Sequence, residues 1–392
     1  MSVDDASLSQ TGAAEPPANG RTLRYRRIVA KFGTNLLTAG TDRLDLAVMA
    51  SLVGQVARLH RLGAELIIVT SGAIAAGRHR VGPVRERKDI PFRQVLAAIG
   101  QSHLMQSYDQ LFDWHDIVVA QTLLTRRDLA DRVSYLNARN TLLALLEFRV
   151  VPVVNENDVV AVDEIKEAAI GDNDNLSALV ANLVDADLLA ILTNTGGLFT
   201  ADPHLDPTAR LVPRVDRVDA EVERMAGGPV SGRATGGMVT KLQAAKLATA
   251  SGVDVFIASG HQPDALVRLA YGEHLGTYFP ATADRLESRK RWMLAGLGAR
   301  GRIVVDAGAV QALREGKRSL LPAGVVDVVG TFQRGDTVEI VTPGGDRVAC
   351  GISNYAAADV AAIRGRRSDS IAAVLGYEYG AEVVHRNNLV VF

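Results

Sequence analysis

The chain has 392 residues, 47% hydrophobic and 22% charged, with 43 Lys and Arg against 44 Asp and Glu. That length allows two or three domains with a sizeable core, and the near-neutral balance excludes a global field drawing the chain to nucleic acid or membrane. One cysteine, Cys350, excludes an internal disulfide framework and a multi-thiolate metal site, and it suits a reducing, cytoplasmic compartment.

The first twenty residues hold no Lys or Arg and no apolar core, so residues 1–22 are expected to be a disordered tail rather than a targeting signal. No apolar run reaches the length of a membrane span. Ile28-Val29-Ala30 then reads as a buried strand, followed by Lys31-Phe32-Gly33-Thr34-Asn35. Leu46 to Leu62 has helical spacing and stops at Gly63. Leu66 to Val69 is a second buried strand, ending in Thr70-Ser71-Gly72-Ala73-Ile74-Ala75-Ala76-Gly77. Small residues between a strand and a helix let a ligand approach the backbone and meet helix N–H groups. Phe92 to Trp114 reads as helix, Ile117 to Gln121 as strand and Arg132 to Glu147 as helix.

Val150 to Val154 is an apolar strand that runs into Asn155-Glu156-Asn157-Asp158. Some fifteen residues later comes Gly171-Asp172-Asn173-Asp174-Asn175, leading into a helix. A helix cap at Asp172 or Asn173 beside a surface loop is the plain alternative. Two clusters of short amides and carboxylates around one loop fit a site for a small polar ligand better. Leu188 to Leu192 is another buried strand, ending in Thr193-Asn194-Thr195-Gly196-Gly197, and a helix over Lys241 to Ser251 precedes a strand over Val253 to Ala258. Apolar strands separated by helices predict a mainly parallel sheet covered on both faces, with ligands beyond the carboxyl ends of the strands.

From about residue 283 a basic stretch gives way to short β-type runs: Ile303 to Val305, Val325 to Val329, Thr337 to Thr342 and Arg347 to Ser353. Pro343-Gly344-Gly345-Asp346 marks a hairpin between the last two. A small, mainly β domain over 297–392 is expected, joined by a linker over 283–296. Gly296-Leu297-Gly298-Ala299-Arg300-Gly301 matches a dinucleotide pattern, but a strand-like run follows it where a helix is required. Gly232 to Gly237 begins like a P-loop, yet Met238 stands where lysine must be. Phosphate could still meet backbone N–H groups around Gly236, Gly237, Thr240 and Lys241.

Two lysines, Lys31 and Lys241, Gly-rich loops and several carboxylates fit phosphoryl transfer, which asks mainly for positioning and charge stabilisation. A carboxylate acceptor would already be ionised at neutral pH and would need no general base.

Four motifs then give a family resemblance: Val69 to Gly77, Asn155 to Asp158, Gly171 to Ala178, and Thr235-Gly236-Gly237-Met238 with Thr240-Lys241-Leu242. In this order and spacing the chain resembles the amino acid kinase family, in particular its glutamate-phosphorylating members. Ser319 to Gly324 and Gly376 to Gly380 resemble the PUA domain attached to many of them. The resemblance implies a three-layer α/β/α sandwich over 23–282, and ATP- and Mg²⁺-dependent phosphorylation of the γ-carboxylate of L-glutamate, the first step of proline biosynthesis. It gives Lys31 and Lys241 the task of neutralising the transferring phosphoryl group, with Asp174 holding both. It gives Ser71, Asp158 and Asn173 to glutamate. It gives Lys31, Thr193, Asn194 and the stretch Thr235, Gly236, Gly237, Met238, Val239, Thr240 and Lys241 to the nucleotide. It also implies a cytoplasmic homo-oligomer with proline as a feedback inhibitor.

Three positions depart from the family pattern: Asn194 where Asp is usual, Ala234 where Gly is usual, and about three extra residues within Ile165 to Gly171. The PUA-like tail carries eleven Lys and Arg against ten Asp and Glu from Arg300 onward, without a basic stripe, so a structural role is expected rather than RNA binding. The rival readings are a kinase for N-acetylglutamate, aspartate or carbamate, and an RNA-binding regulator with a vestigial kinase domain.

Overall fold

The computed structural model describes residues 22–82, 89–161, 173–203, 205–227, 236–282, 299–316 and 318–392. Nearly all of the expected tail, the linker over 283–296, the lengthened segment 165–171, Ala234 and Thr235 lie outside the described residues. Seven strands form one sheet in the order β3-β4-β2-β1-β5-β6-β7. They are β1 Arg27–Phe32, β2 Glu65–Val69, β3 Val119–Leu124, β4 Val151–Glu156, β5 Leu188–Thr193, β6 Asp254–Ser259 and β7 Thr277–Phe279. All neighbours pair in parallel except β7, which lies antiparallel on β6.

The period-two alternation of strand side chains builds two cores. Ile28, Ala30 and Phe32 of β1 enter one core with helices Leu46–Arg61, Ile90–Asp113 and Ala265–Ala270. Val29 enters the other, with helices Arg132–Glu147, Asn173–Leu183 and Gly236–Ala250. Burial on both faces is why the strands read as unbroken apolar runs. Local signals set the helix starts: the Asp45 carboxylate accepts from the N–H groups of Ala47 and Val48, and Asp131 caps Ser134.

Four expectations need correction. Strand β3 lies two to three residues later than expected, because it is an edge strand whose register comes from pairing Val119 with Val151 and not from its own apolar run. Strand β4 continues through Asn155 and Glu156, which pair with Leu123 and Leu124 and are buried. The polar cluster is thus the end of a strand before it is a loop. The helix expected from Lys241 starts by Gly236, since glycines are weak helix formers and hid its first turn. Strand β7 was not foreseen.

The C-terminal part is a separate five-stranded sheet, β12-β11-β10-β8-β9. Its strands are β8 Gly301–Val305, β9 Val325–Gly330, β10 Thr337–Val341, β11 Arg347–Ile352 and β12 Leu389–Val391, with β10 and β11 forming the expected hairpin. Helices Ala307–Arg314, Ala357–Ile363 and Ile371–Leu375 accompany it and had left no clear trace in the sequence. A strand, β8, follows the glycine pattern ending at Gly301, as the rejection of dinucleotide binding requires.

The two sheets are joined through Arg139, which is 1% exposed. Its guanidinium donates to Asn388 Oδ1 (2.7 Å), to Asp185 (2.6 Å) and to the Leu183 carbonyl. Arg334 adds a 2.6 Å bond to Asn137.

Candidate active site

Strands β4, β2, β1 and β5 are neighbours in the sheet, all parallel, so their carboxyl ends open side by side. Lys31 is the penultimate residue of β1, and alternation turns it to the same face as Val29, toward helices Asn173–Leu183 and Gly236–Ala250. There its ammonium lies 2.6 Å from Asp174 Oδ1. Lys241, from the second turn of the other helix, lies 3.1 Å from Asp174 Oδ2. The Thr240 hydroxyl donates to the same oxygen at 2.8 Å, and Lys241 also donates to the Gly237 carbonyl at 2.8 Å.

Asp174 is fully buried. Burial pushes its carboxyl pKa up, but the Lys31 and Lys241 ammoniums outweigh that and the net direction is down. Lys241 is held below the ordinary lysine range, first by burial and also by Lys31, while Asp174 opposes the shift. Three ionisable groups therefore share a site with little water. Such triads add little net stability over apolar packing, and they are found where charge is needed for chemistry.

A cleft opens on this triad and is lined by both lysines, Ser71, Gly72, Ala73, Asn155, Asp158, Asn173, Thr193 and Gly237. Gly72 has φ of +100°, a left-handed conformation that a side chain would strain, and it starts helix Ala73–Val81 without a capping side chain. The turn before it is tied down by a 2.8 Å hydrogen bond between the Thr70 and Tyr108 hydroxyls. Asn173 does not cap its own helix. Its amide N–H₂ donates to Ser71 Oγ (3.1 Å) and to Asn155 Oδ1 (3.2 Å), while its own Oδ1 is buried without a partner. The amide thus joins the ends of β2 and β4 and presents an acceptor needing a donor from a ligand.

Of the residues expected at the nucleotide, Lys31, Thr193, Gly237 and Lys241 line the cleft, and Thr240 supports Asp174. Met238 and Val239 pack against the core beneath the helix. Asn194 is exposed and donates to the Asn35 carbonyl at 3.2 Å. Thr235 lies outside the described residues.

Helix Ile90–Asp113 adds residues that the sequence reading passed over. Gln94 donates to the Asp158 and Val159 carbonyls (3.2 and 2.9 Å), and Gln101 accepts from Asn155 (2.7 Å). Arg93 lines the cleft itself. No sequence signal sets these residues apart, because on a helix packed along one face they look like ordinary surface residues.

A two-lysine, one-aspartate cluster at the strand ends of a parallel sheet, facing a cleft with amide acceptors, defines a phosphotransferase acting on a small polar acceptor. The chain belongs to the amino acid kinase family, whose model matches residues 26–259, and residues 301–375 match the PUA domain. Within that family it groups with the glutamate 5-kinases. The glutamate 5-kinase of Dehalococcoides mccartyi (strain ATCC BAA-2266 / KCTC 15142 / 195) is 58% identical over 367 residues, covering 94% of this chain and 98% of that one. The glutamate 5-kinase of Herpetosiphon aurantiacus is 54% identical, covering 94% and 99%.

Proposed function

We propose that the chain transfers the γ-phosphoryl group of ATP to the γ-carboxylate of L-glutamate, giving γ-glutamyl phosphate and ADP. The Asp174 bridge between Lys31 and Lys241, set beside the unpartnered Asn173 Oδ1, carries this reading. A carboxylate oxygen attacks the γ-phosphorus, the bond to the β,γ-bridging oxygen breaks, and ADP leaves with the electron pair. No proton moves, so no general base is needed. Lys31 and Lys241 offset the charge on the phosphoryl oxygens, and Asp174 fixes their spacing. Ser71, Asp158 and Asn173 hold the amino acid, with Asp158 and Asn173 Oδ1 accepting from its ammonium. Thr193 and the start of helix Gly236–Ala250, including Gly236 and Gly237, hold the nucleotide, together with Thr235 and Asn194 as the family resemblance implies.

Magnesium enters with the nucleotide. Asp174 is committed to two lysines and a threonine, and among the described residues no group of three His, Cys, Asp or Glu side chains is placed to build a protein cage. Domain limits of 23–282 and 297–392, a cytoplasmic location, a homo-oligomer and feedback inhibition by proline belong to the same reading. No helix among the described residues is long and apolar enough to cross a membrane.

Hydroxylamine trapping of the acyl phosphate tests it, with MgATP and L-glutamate beside N-acetylglutamate and aspartate. Glutamyl hydroxamate is expected in excess. Product from N-acetylglutamate instead would overturn the assignment, because that substrate lacks the ammonium that Asn173 Oδ1 and Asp158 are assigned to bind.

A further inference from the structure

Glutamate is a zwitterion at its α-carbon, and the residues given to it so far answer only half of that charge. Ser71, Asp158 and Asn173 can accept from the ammonium or donate weakly, but none is a cation. Lys31 and Lys241 are held by Asp174 where the phosphoryl group is transferred. The α-carboxylate needs its own positive partner.

Two observations supply one. Arg93 lines the cleft, and among the described residues no carboxylate or carbonyl pairs with its guanidinium. The neighbouring Gln94 is anchored to the Asp158 and Val159 carbonyls, which ties this turn of the helix to the chain leaving β4, and Arg93 and Asp158 line the same cleft. Packed against helix Ile90–Asp113, helix Ala73–Val81 starts without a side-chain cap, and Ala76 is the first residue whose N–H finds a carbonyl of that turn, at Gly72. Ala73, Ile74 and Ala75 line the cleft and leave their N–H groups to a ligand. The unpartnered Asn173 Oδ1 marks the same chamber as built for a charged head group.

We infer that Arg93, with the free N–H groups of Ala73 to Ala75, binds the α-carboxylate of the amino acid and so selects a free α-amino acid over its uncharged analogues. This rests on the glutamate reading above. Asp158 and Arg93 then form a pair of opposite charges matched to the ammonium and carboxylate of one substrate carbon, which sets the γ-carboxylate at the far end, toward the lysines.

The test compares L-glutamate with its α-amide, which keeps the ammonium and the γ-carboxylate but replaces the α-carboxylate with a neutral amide. The kcat and KM of both are measured for wild type, R93M and R93K; where the amide turns over too slowly, its inhibition constant against glutamate takes the place of its KM. R93M is expected to lose about 10²-fold in kcat/KM for glutamate, mostly through KM, while its value for the amide changes less than about threefold. KM for ATP stays put, and R93K recovers most of the loss. Equal losses for both substrates in R93M, or no loss for glutamate, would overturn the inference. Failure of wild type to phosphorylate glutamate at all would instead overturn the reaction, so the two failures are distinct.

Discussion

Replacing Asp174 by Asn keeps the shape of the side chain and its bond to the Thr240 hydroxyl but removes the charge between two ammoniums that are 4% and 12% exposed. Taking one partner from a buried ion cluster costs about 3–5 kcal/mol, because the remaining charge is left unpaired. For a domain of 150–250 residues each kcal/mol moves Tm by about 2–4 °C, so the kinase-domain transition should fall by about 6–20 °C at neutral pH. The pH dependence follows from sign. In wild type the depressed Asp174 pKa contributes stability that is present above the ordinary Asp value and lost as pH falls through the lower folded value. In the variant Lys241 loses the carboxylate that opposed the effect of its burial, and the cost of its charge is relieved as pH rises through its lowered folded pKa. The Tm gap should therefore be widest near neutrality and close toward both extremes. Calorimetry from pH 5 to 10 reads it. A Tm within about 2 °C of wild type at pH 7, with kcat unchanged, would show that the triad is neither a charge cluster nor part of the machinery.

Lys241→Ala should lower kcat by about 10²–10³-fold, as the loss of one transition-state donor does, with glutamate KM little changed; normal steady-state kcat would remove Lys241 from phosphoryl stabilisation. Because burial holds Lys241 below the ordinary lysine range, ATP affinity should weaken at a pH below that range, read by titration without glutamate so that the substrate ammonium plays no part. A flat ATP Kd up to the ordinary lysine value would contradict this. Gly100→Ala places a Cβ 1.8 Å from the Ala73 carbonyl oxygen, backbone that cannot yield cheaply, and should cost about 1–3 kcal/mol or more while parting helices Ala73–Val81 and Ile90–Asp113. Glutamate KM should rise and ATP KM hold; unchanged thermal stability would mean the helices do not cross so closely. Arg139→Met leaves Asp185 without its guanidinium and cuts the bond to Asn388, so the C-terminal sheet should melt separately from the kinase sheet in calorimetry. A single unshifted transition would deny Arg139 that joining role.

The sequence made the phosphoryl-transfer half of the site legible and hid much of the amino acid half, for a physical reason. In a parallel sheet buried on both faces, a lysine within an apolar strand or an Asn-Asp run directly after one stands out, because every neighbour is apolar. Lys31 and the run Asn155 to Asp158 are read that way, whereas Asp174 lies in a second polar run some fifteen residues on, and its meeting with Lys31 at 2.6 Å is what the family resemblance implies. Lys241 stands out as a lysine near a helix start, but Gly236 and Gly237 mask the first turn of that helix, and only the family resemblance places Lys241 on Asp174. Helix Ile90–Asp113 offers no such contrast. It is packed on one face through Leu96, Ala97, Gly100 and Leu104 and is solvated elsewhere, so Arg93, Gln94 and Gln101 look like ordinary surface residues. What distinguishes them is long-range: the end of β4, more than fifty residues on, turns toward them.

That difference bears on how the site divides its work. Charge for the transferring group comes from side chains fixed by the sheet and by two helix starts, and these have few ways to move. The grip on the amino acid is made between a strand end, β4, and a helix on the opposite face, through single amide bonds of 2.7 to 3.2 Å. Helix Ile90–Asp113 packs on one face of the sheet, whereas the partners of Lys31 and Asp174 all lie on the other. Substitutions along that helix should therefore move glutamate KM while leaving ATP KM and the Asp174-dependent Tm in place, and substitutions around Asp174 should do the reverse. A variant of Gln94 to Leu that lowered kcat at saturating glutamate as strongly as it raised KM would show that the two halves are mechanically one.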